Sequence, residues 1–214
     1  MKREYTTRTI ILPTGYTQLQ YIKSTGTQYI NTGVTCGGNK FRNYQEFEKY
    51  DTSTGGVLFG SSSNNDNQWT CNPYFAPNSQ MLNLFPIYLG GIGGMMTMVW
   101  VHNVKSFIDV TVDDINKSFE CNLAFGNNVN LNANSDRGPS TIYPNVLYIF
   151  ASRRGTITQN LSKHILYRHI MWINDVKVRD FIPALRDSDS KPGLYDIVND
   201  VFYTNAGTGE FLYA

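Results

Sequence analysis

Two glutamates are the residues whose types and spacing could most directly do chemistry. Glu46 and Glu48 fall in a segment with strand-like composition, where residues two apart share a face and their Cα atoms are about 6.6 Å apart. Glycosidases use carboxylates about 5 to 5.5 Å apart for retention, or about 6.5 to 9.5 Å for inversion. However, Arg42 and Lys49 lie nearby, and such spacing is common on solvated strands. We predict no catalytic site and keep a glycan-processing enzyme as the alternative.

The histidines and cysteines favour neither a metal site nor nucleophilic catalysis. His164 and His169 are five residues apart, so on one strand they would point to opposite faces and could not ligate one ion together. The three cysteines lie far apart and form no C-x-x-C pair. Loops 61–67 and 132–136 offer oxygen ligands for calcium, but each has one carboxylate and calcium sites usually use more. We predict no cofactor and no metal, with calcium in a loop left open.

Sugar binding is the chemistry that the polar segments could best perform. Pyranose rings need aromatic faces to stack on, with amides and hydroxyls to fix their orientation. The residues that we select as a glycan-binding set are Trp69, Tyr74, Tyr143, Asn132, Asn134 and Asp136. Because the chain has 14 tyrosines, the same aromatic side chains could equally belong to a core or a subunit contact.

A long segment without charge tests whether the chain could enter a membrane. No charged side chain occurs between positions 67 and 103, and residues 81–101 are mostly apolar, close to the roughly 20 residues that span a bilayer. Pro86 and the glycine run at 90–94 would interrupt any helix there. We therefore expect two strands joined by a glycine turn and no membrane span.

Two apolar groups are predicted to contact partner proteins. An N-terminal arm, residues 1–11, is rich in β-branched residues and could add as a strand to a neighbour's sheet edge, although a frayed terminus is an equal alternative. Three methionines beside Trp100 form a flexible apolar cluster that fills a core or a subunit interface. The predicted interface residues are Ile10, Ile11, Met95, Met96 and Met98.

The composition favours one all-β domain without an electrostatic partner. A chain of 214 residues that is 41% hydrophobic can bury a substantial core. Only 16% of residues are charged and the net charge is +1, so the sequence predicts binding neither to nucleic acid nor to an anionic membrane. The first residues lack the apolar stretch of a secretory signal, so we expect synthesis in a cytoplasm.

Short β-branched and aromatic segments between turn signals predict the strands of a sandwich or barrel. One helical turn is expected at 18–22, and tight hairpins at Asn174-Asp175 and Asn199-Asp200, since Asn and Asp tolerate positive φ. Polar loops are expected at 52–55, 61–68, 127–141 and 186–192. The predicted strands cover 28–34, 40–50, 56–60, 81–89, 95–101, 104–112, 118–125, 146–151, 164–173, 176–182, 194–198 and 201–204.

Both ends of the chain carry motifs that resemble a known family. They are Leu12 to Gly33 at one end, and Val178-Arg-Asp-Phe-Ile-Pro183, Gly193-Leu-Tyr-Asp196 and Phe202-Tyr-Thr-Asn-Ala-Gly207 at the other. These stretches resemble the lectin-like jelly-roll modules, of the concanavalin A and laminin G type, found in structural proteins of bacteriophages and prophages. The resemblance covers residues 12–212, departing at Asn-Asp in the 174 hairpin and at 63–100, which has no clear counterpart.

This resemblance implies a two-sheet antiparallel sandwich over residues 12–214, preceded by the short arm. Its motif residues are expected to be scaffold: Pro183 ends a strand, and Gly193 and Gly207 make tight turns. The implied function is a non-enzymatic virion protein of a capsid or tail that binds host-surface or mucosal glycans. We expect a homo-oligomer contacting other virion proteins. A free carbohydrate-binding module is a further alternative.

Overall fold

The computed structural model describes residues 10–35, 38–51, 56–62, 68–76, 79–85, 96–99, 103–113, 115–116, 118–125, 129–136 and 146–214. Within these ranges the chain forms strands and no helix. The strands are β1 Tyr16–Gln18, β2 Ile22–Lys23, β3 Ile30–Thr35, β4 Lys40–Glu48, β5 Phe59–Ser62, β6 Gln68–Ala76, β7 Ser79–Phe85, β8 Met96–Val99, β9 Ser106–Asp113, β10 Ser118–Phe125, β11 Val129–Asp136, β12 Val146–Ile149, β13 Ser152–Arg154, β14 Ile157–Gln159, β15 Ile165–Ile173, β16 Val176–Arg186, β17 Lys191–Asp196, β18 Val201–Thr204 and β19 Leu212–Tyr213.

Two sheets form a sandwich, which confirms the predicted all-β, antiparallel architecture. The larger sheet runs in the order β11-β10-β9-β4-β15-β16-β17-β18, with β1 against β16 and the pair β2-β19 against the start of β15. The smaller sheet runs β14-β13-β5-β6-β7-β8, with β12 joining β5 to β3. In the described strands only β13 and β5 pair in parallel. β15 is central in the larger sheet, between β4 and β16, and it has apolar residues on both faces.

Alternation of side chains along the strands builds the core between the sheets. In β4, Phe41 and Phe47 point inward and are almost wholly buried, and Phe181 of β16 packs in the same cluster. From the smaller sheet, Leu147 and Ile149 contribute equally buried side chains. Burying such residues stabilises the fold by about 1.5 to 3 kcal/mol each.

Phe150 reverses the chain between the two strands on either side of it. Its φ is 68°, unusual for a bulky residue. β12 before it is antiparallel to β5, and β13 after it is parallel to the same strand. Its N–H donates to the carbonyl of Leu58 at 2.9 Å and its ring stacks on His164 with centroids 4.2 Å apart. The buried ring and this hydrogen bond hold the strained conformation.

Pro183 does not end a strand as predicted, because β16 changes partners around it. Pairing with β15 stops at Phe181 and pairing with β1 starts at Ala184. The carbonyl of Pro183 accepts the N–H of Leu19 at 2.9 Å on that side. Proline has no N–H to donate to a partner strand. It is tolerated at position 183 because neither β15 nor β1 pairs with β16 there.

Gly193 lies inside β17 instead of a turn, which corrects its predicted role. A Cβ atom there would collide with the carbonyl oxygen of Tyr203 and lie 2.8 Å from the ring of Phe202. Glycine is therefore required for close approach of β17 and β18. Gly207 does lie in the bend before the C-terminal strand, against the carbonyl of Thr27.

The hairpin prediction is confirmed at one position and altered at the other. Asn174 and Asp175 have φ of 49° and 64° and join β15 directly to β16, as a two-residue turn requires. The second hairpin has four residues between Asp196 and Val201, and within it Asp200 has φ of 55°. The side chain of Asp196 accepts the N–H of Val198 at 3.1 Å, which stabilises the longer loop.

Two other predictions are wrong. The expected helical turn at 18–22 is extended chain, with β1 and β2 on either side of Leu19, because that segment is paired with β16 and β15. The expected loop at 127–141 contains β11, which pairs with β10 over its whole length. Apolar Val129, Leu131 and Ala133 alternate with asparagine there, which is a strand pattern of period two.

Candidate functional site

The predicted glycan-binding residues are distributed over two sheets. Trp69 and Tyr74 lie in β6 of the smaller sheet. Asn132, Asn134 and Asp136 lie in β11, at the edge of the larger sheet. Tyr143 is outside the described residues. Strand pairing thus does not join the two groups into one site.

The predicted interface residues lie at the start of the described chain and in β8. Ile10 is half-buried, whereas Ile11 is 88% exposed. Met96 and Met98 belong to β8, the last strand of the smaller sheet, and Met95 is outside the described residues. The exposed side chain of Ile11 is compatible with a protein contact.

The outer face of the larger sheet, turned away from the core, carries two adjacent rows of residues joined by strand register. From β10 to β16 one row reads Asn122, Asp109, Tyr44, Ile170, Asp180 and the other Glu120, Thr111, Arg42, Trp172, Lys177. Beside them lie Glu46, Glu48, Lys105, Tyr167 and Arg168. We call these fifteen residues the polar band. At the β11 end, Asn132 and Asn134 are the register partners of Asn122 and Glu120.

Arg42 and Trp172 form the centre of the polar band. The guanidinium carbon of Arg42 lies 4.3 Å from the indole ring centroid, within the range of a cation–π contact. The same guanidinium donates twice to Asp109, from Nε at 2.7 Å and from Nη2 at 2.6 Å. This two-point contact fixes Arg42 and leaves a half-buried indole beside amide and carboxylate groups.

Further ion pairs extend the polar band on both sides. Arg168 binds Asp180 through two nitrogens, at 3.0 Å and 2.9 Å, and Lys177 reaches the same carboxylate at 2.8 Å. Asp180 is only 1% exposed, and the two cations offset the cost of burying its carboxylate. Lys105 pairs with Glu46 at 2.7 Å.

Glu46 and Glu48 share the outer face, as their spacing predicts, but both are held in contacts typical of a structural role. Glu46 accepts from Tyr44 at 2.9 Å in addition to its contact with Lys105. Glu48 accepts from the hydroxyl of Tyr167 at 2.9 Å. Burial, with a contribution from Glu48, raises the pKa of Tyr167, so its hydroxyl stays protonated as a donor.

An aromatic cluster at the other end of the outer face was not predicted as functional. Tyr16 lies 4.7 Å from Tyr195 and 5.3 Å from Phe202, measured between ring centroids. Arg186 lies over Phe202 at 5.2 Å and binds Asp189 through two nitrogens. The sequence motifs marked Tyr195 and Phe202 as scaffold, and the tight ring packing agrees with that role.

The inner face of β4 carries a buried polar network. Gln45 places Nε2 3.1 Å from Nε2 of His164 and Oε1 3.0 Å from Nδ1 of His169. Both rings are fully buried, and both lie on the side of Gln45, which corrects the prediction that they face opposite ways. A register shift between Leu166 and Arg168 inserts one residue and changes the parity of the strand.

With the Gln45 amide oriented as described, its hydrogen bonds assign a proton to one nitrogen of each imidazole. Because the amide nitrogen of Gln45 is a donor, Nε2 of His164 accepts its hydrogen bond. The proton of that imidazole then lies on Nδ1, which is 3.0 Å from Oγ of Ser162. His169 likewise donates from Nδ1 to Gln45, so its Nε2 must accept. That nitrogen faces Oδ1 of Asn43 at 3.1 Å, while Nδ2 of Asn43 finds no partner among the described residues. Rotating the Asn43 amide by half a turn turns Nδ2 toward Nε2 of His169 as a donor and resolves the first of these conflicts.

Burial keeps the two rings neutral. Desolvation lowers the pKa of His169 to about 3. For His164, desolvation first, then Lys49 and His169, lower the pKa well below its ordinary value. Lys49 is also buried, and desolvation lowers its pKa to about 8. Two buried, uncharged and hydrogen-bonded imidazoles are typical of a structural role in the core.

Metal and thiol chemistry find no support in the described part of the chain. There, no group of three or more His, Cys, Asp or Glu side chains could hold a metal ion. Cys121 is buried in β10, and desolvation raises the pKa of its thiol to about 12, so it is unreactive. The 132–136 segment, considered for calcium, is a strand instead of a ligand loop.

No helix among the described residues has the length and apolar character needed to cross a membrane.

Comparison with known proteins identifies the fold and no family. No protein-family model matches the sequence, and no curated protein matches it. Among solved structures, a candidate carbohydrate-binding protein from Bacteroides ovatus superposes with a TM-score of 0.56 at 12% identity, covering 92% of this chain. This chain spans only 60% of that protein. A heptameric SAP-like pentraxin from Limulus polyphemus gives a TM-score of 0.53 at 8% identity, covering 93% and 94% of the two chains. The fold is thus that of lectin-like sandwiches.

Proposed function

We propose that this protein is a non-enzymatic, glycan-binding structural component of a bacteriophage virion. In this proposal it is made in the host cytoplasm and displayed on a capsid or tail as a homo-oligomer. The observation that carries the binding function is the polar band, where the indole of Trp172 lies among fixed polar groups on a sheet face. A sugar chain lying across the strands would stack one ring on the indole, while hydroxyls of its other rings bond to Asp109, two strands away, and to Asn122 and Glu120, three strands away.

The residues selected from sequence keep a place in this proposal. Asn132 and Asn134 continue the two rows of the polar band in register, and Asp136 follows at the end of β11 opposite Ser118. Trp69 and Tyr74 belong to the smaller sheet, and this proposal places them outside the glycan contact of the polar band. Ile10, Ile11, Met95, Met96 and Met98 are proposed to contact neighbouring subunits or other virion proteins.

The virion role is supported by the motifs that resemble phage modules. Those from Val178 to Gly207 form consecutive strands β16, β17 and β18, with Phe181 and Leu194 in the core. These motifs therefore specify a scaffold, and this scaffold is the feature in which the chain resembles structural proteins of phages. The pentraxin with the same fold is described as heptameric, which supports an oligomer.

A glycan array with two tryptophan variants tests the binding site. Trp172→Ala should lose at least tenfold in affinity for the glycans that the wild-type protein binds, because the stacking surface is removed. Trp69→Ala, a matched loss of an indole from the smaller sheet, should retain binding. The reverse pattern would move the site to the smaller sheet, and an unmodified protein that binds no glycan would refute glycan recognition.

The virion role needs its own experiment. Mass spectrometry of purified virions should detect this protein at a copy number that is a multiple of a symmetric ring or capsid unit. Virions that lack the protein would overturn the structural role. If glycan binding persisted in that case, a free carbohydrate-binding module would be the better description.

The enzyme alternative rests on Glu46 and Glu48 alone. Both carboxylates accept hydrogen bonds from tyrosine hydroxyls, and Lys105 neutralises Glu46, so neither is placed as a free acid or nucleophile. Glycan cleavage that is present in the wild type and abolished by both Glu46→Gln and Glu48→Gln would establish the enzyme instead.

A further inference from the structure

We infer that the polar band selects neutral glycans and rejects acidic ones. The inference rests on the proposed glycan-binding function and adds the chemical class of the ligand. Acidic sugars carry carboxylate or sulfate groups, which proteins bind with arginine or lysine side chains that can turn toward the ligand. The cations of the polar band are not free to do so.

Every cation in the polar band already contacts a carboxylate of the same face. The closest nitrogen–oxygen distances are 2.6 Å from Arg42 to Asp109, 2.7 Å from Lys105 to Glu46, 2.9 Å from Arg168 to Asp180 and 2.8 Å from Lys177 to Asp180. Lys40, in the next row, contacts Asp175 at 2.8 Å. An acidic sugar would have to displace one of these carboxylates.

The two arginines are also fixed in geometry. Arg42 and Arg168 each bind their carboxylate through two nitrogens, and Arg42 is stacked on Trp172. The side chains of Arg42 and Asp109 are only 16% and 14% exposed, which weakens solvent screening of the pair. Breaking this contact would leave Asp109 half-buried without its cation, an unfavourable arrangement.

Carboxylates outnumber cations on this face. The polar band contains Asp109, Asp180, Glu46, Glu48 and Glu120 against Arg42, Lys105, Arg168 and Lys177. Glu120, which accepts from Asn122, belongs to the same row as Arg42 and Trp172, whereas Glu48, which accepts from Tyr167, lies further along β4 on the same face. The excess negative charge repels an anionic chain, whereas sugar hydroxyls can donate to these oxygens.

Calorimetry with matched oligosaccharides tests the inference. The probes share one backbone and are either neutral or oxidised to the uronic acid. Wild-type protein in its native oligomeric state should bind the neutral probe at least tenfold more tightly at low salt, and the ratio should fall as salt rises.

Two variants identify the cause of the selectivity. Asp109→Asn releases Arg42 and should raise affinity for the acidic probe at least fivefold. Asp51→Asn, which alters the contact with Lys163 outside the polar band, removes the same charge and should leave both affinities unchanged. Glu120→Gln, at an exposed position, lowers the negative charge without disturbing an arginine and should raise acidic binding about twofold. Circular dichroism verifies that each variant is folded.

The possible failures are distinct. Equal or tighter wild-type binding of the acidic probe overturns the inference and leaves glycan binding intact. Binding of neither probe class on a broad panel removes the proposed function and the inference with it. Selectivity for neutral sugars that persists unchanged in both Asp109→Asn and Glu120→Gln overturns charge as its cause.

Discussion

The two faces of β4 are formed by alternate residues of one strand, yet they stabilise polar groups differently. The inner face uses neutral hydrogen bonds and the outer face uses ion pairs. On the inner face Asn43 and Gln45 bond to neutral imidazoles, and apart from Lys49 that side of the strand has no charge. On the outer face Arg42, Glu46 and Glu48 are charged and contact partners near solvent. The depth of burial decides which kind of contact is stable on each face. Charged groups between the sheets lose most of their hydration, whereas those on the outer face keep part of it.

This comparison predicts where acid acts first. His164 and His169 have folded-state pKa values below the ordinary value of about 6.5, so their stabilising contribution is complete above that pH and is lost as pH falls toward the folded-state values. For each of the two rings, the unfolding free energy should fall by about 1.4 kcal/mol for every unit by which the pH drops in this window. Urea unfolding between pH 7 and pH 4 should show a loss of several kcal/mol.

The control for the acid effect is His169→Gln, which retains hydrogen-bonding groups without a titrating ring. Its unfolding free energy should depend on pH about half as steeply as that of the wild type over the same range. An unchanged slope would mean that carboxylates of the outer face, and not the buried rings, determine acid sensitivity.

A single substitution on the inner face should have the next largest effect. Gln45→Leu removes the partner of both imidazoles, leaving two buried ring nitrogens without hydrogen bonds. We expect a loss of about 3 kcal/mol, since each unsatisfied buried group costs about 1 to 3 kcal/mol. Urea denaturation followed by circular dichroism gives the value, and a loss below about 1 kcal/mol would show that the network contributes little.

On the outer face the expected loss is smaller. Arg42→Lys keeps the positive charge but cannot reproduce the two-point contact with Asp109 or the stacking on Trp172. The unfolding free energy should fall by about 1 kcal/mol, with the same pH dependence as the wild type. A change as large as that of Gln45→Leu would mean that the outer face is as deeply desolvated as the core.

The smallest effect is expected for Glu46→Gln, immediately next to Gln45 in sequence. Its partner Lys105 is 55% exposed, and exposed ion pairs contribute about 0 to 1 kcal/mol. We expect the unfolding free energy of Glu46→Gln to fall by less than about 0.5 kcal/mol. Measured under the same conditions as Gln45→Leu, this variant would give the sharpest contrast between the two faces. Comparable losses at both positions would contradict it.

Much of the fold could be predicted because its signals are local. Alternation in 40–50, 118–125 and 201–204 specifies strands, and Asn174-Asp175 specifies a two-residue turn through its tolerance of positive φ. The strand that the prediction missed also reflects a local signal. The asparagines of β11 have low strand propensity and hide its period-two alternation of apolar residues, and pairing with β10 completes the strand.

The candidate site could be predicted only in part. Its residues come from strands far apart in sequence, so no spacing reveals that Arg42, Asp109 and Trp172 meet. The glutamates were identified because they are two residues apart on one strand. Trp172 lies within the predicted strand 164–173, but its contact with Arg42 follows only from the pairing of β4 with β15.

The sequence by itself determined an all-β chain and the shared face of Glu46 and Glu48, since these follow from periodicity within single strands. The scaffold role of the C-terminal motifs was implied by their resemblance to a known family. Tertiary structure alone decided which strands are neighbours, and with that the polar band on one face and the neutral histidines on the other. The register shift at 166–168 is the clearest instance. One extra residue turns His169 toward Gln45, because strand parity is counted along a paired ladder and not along the sequence.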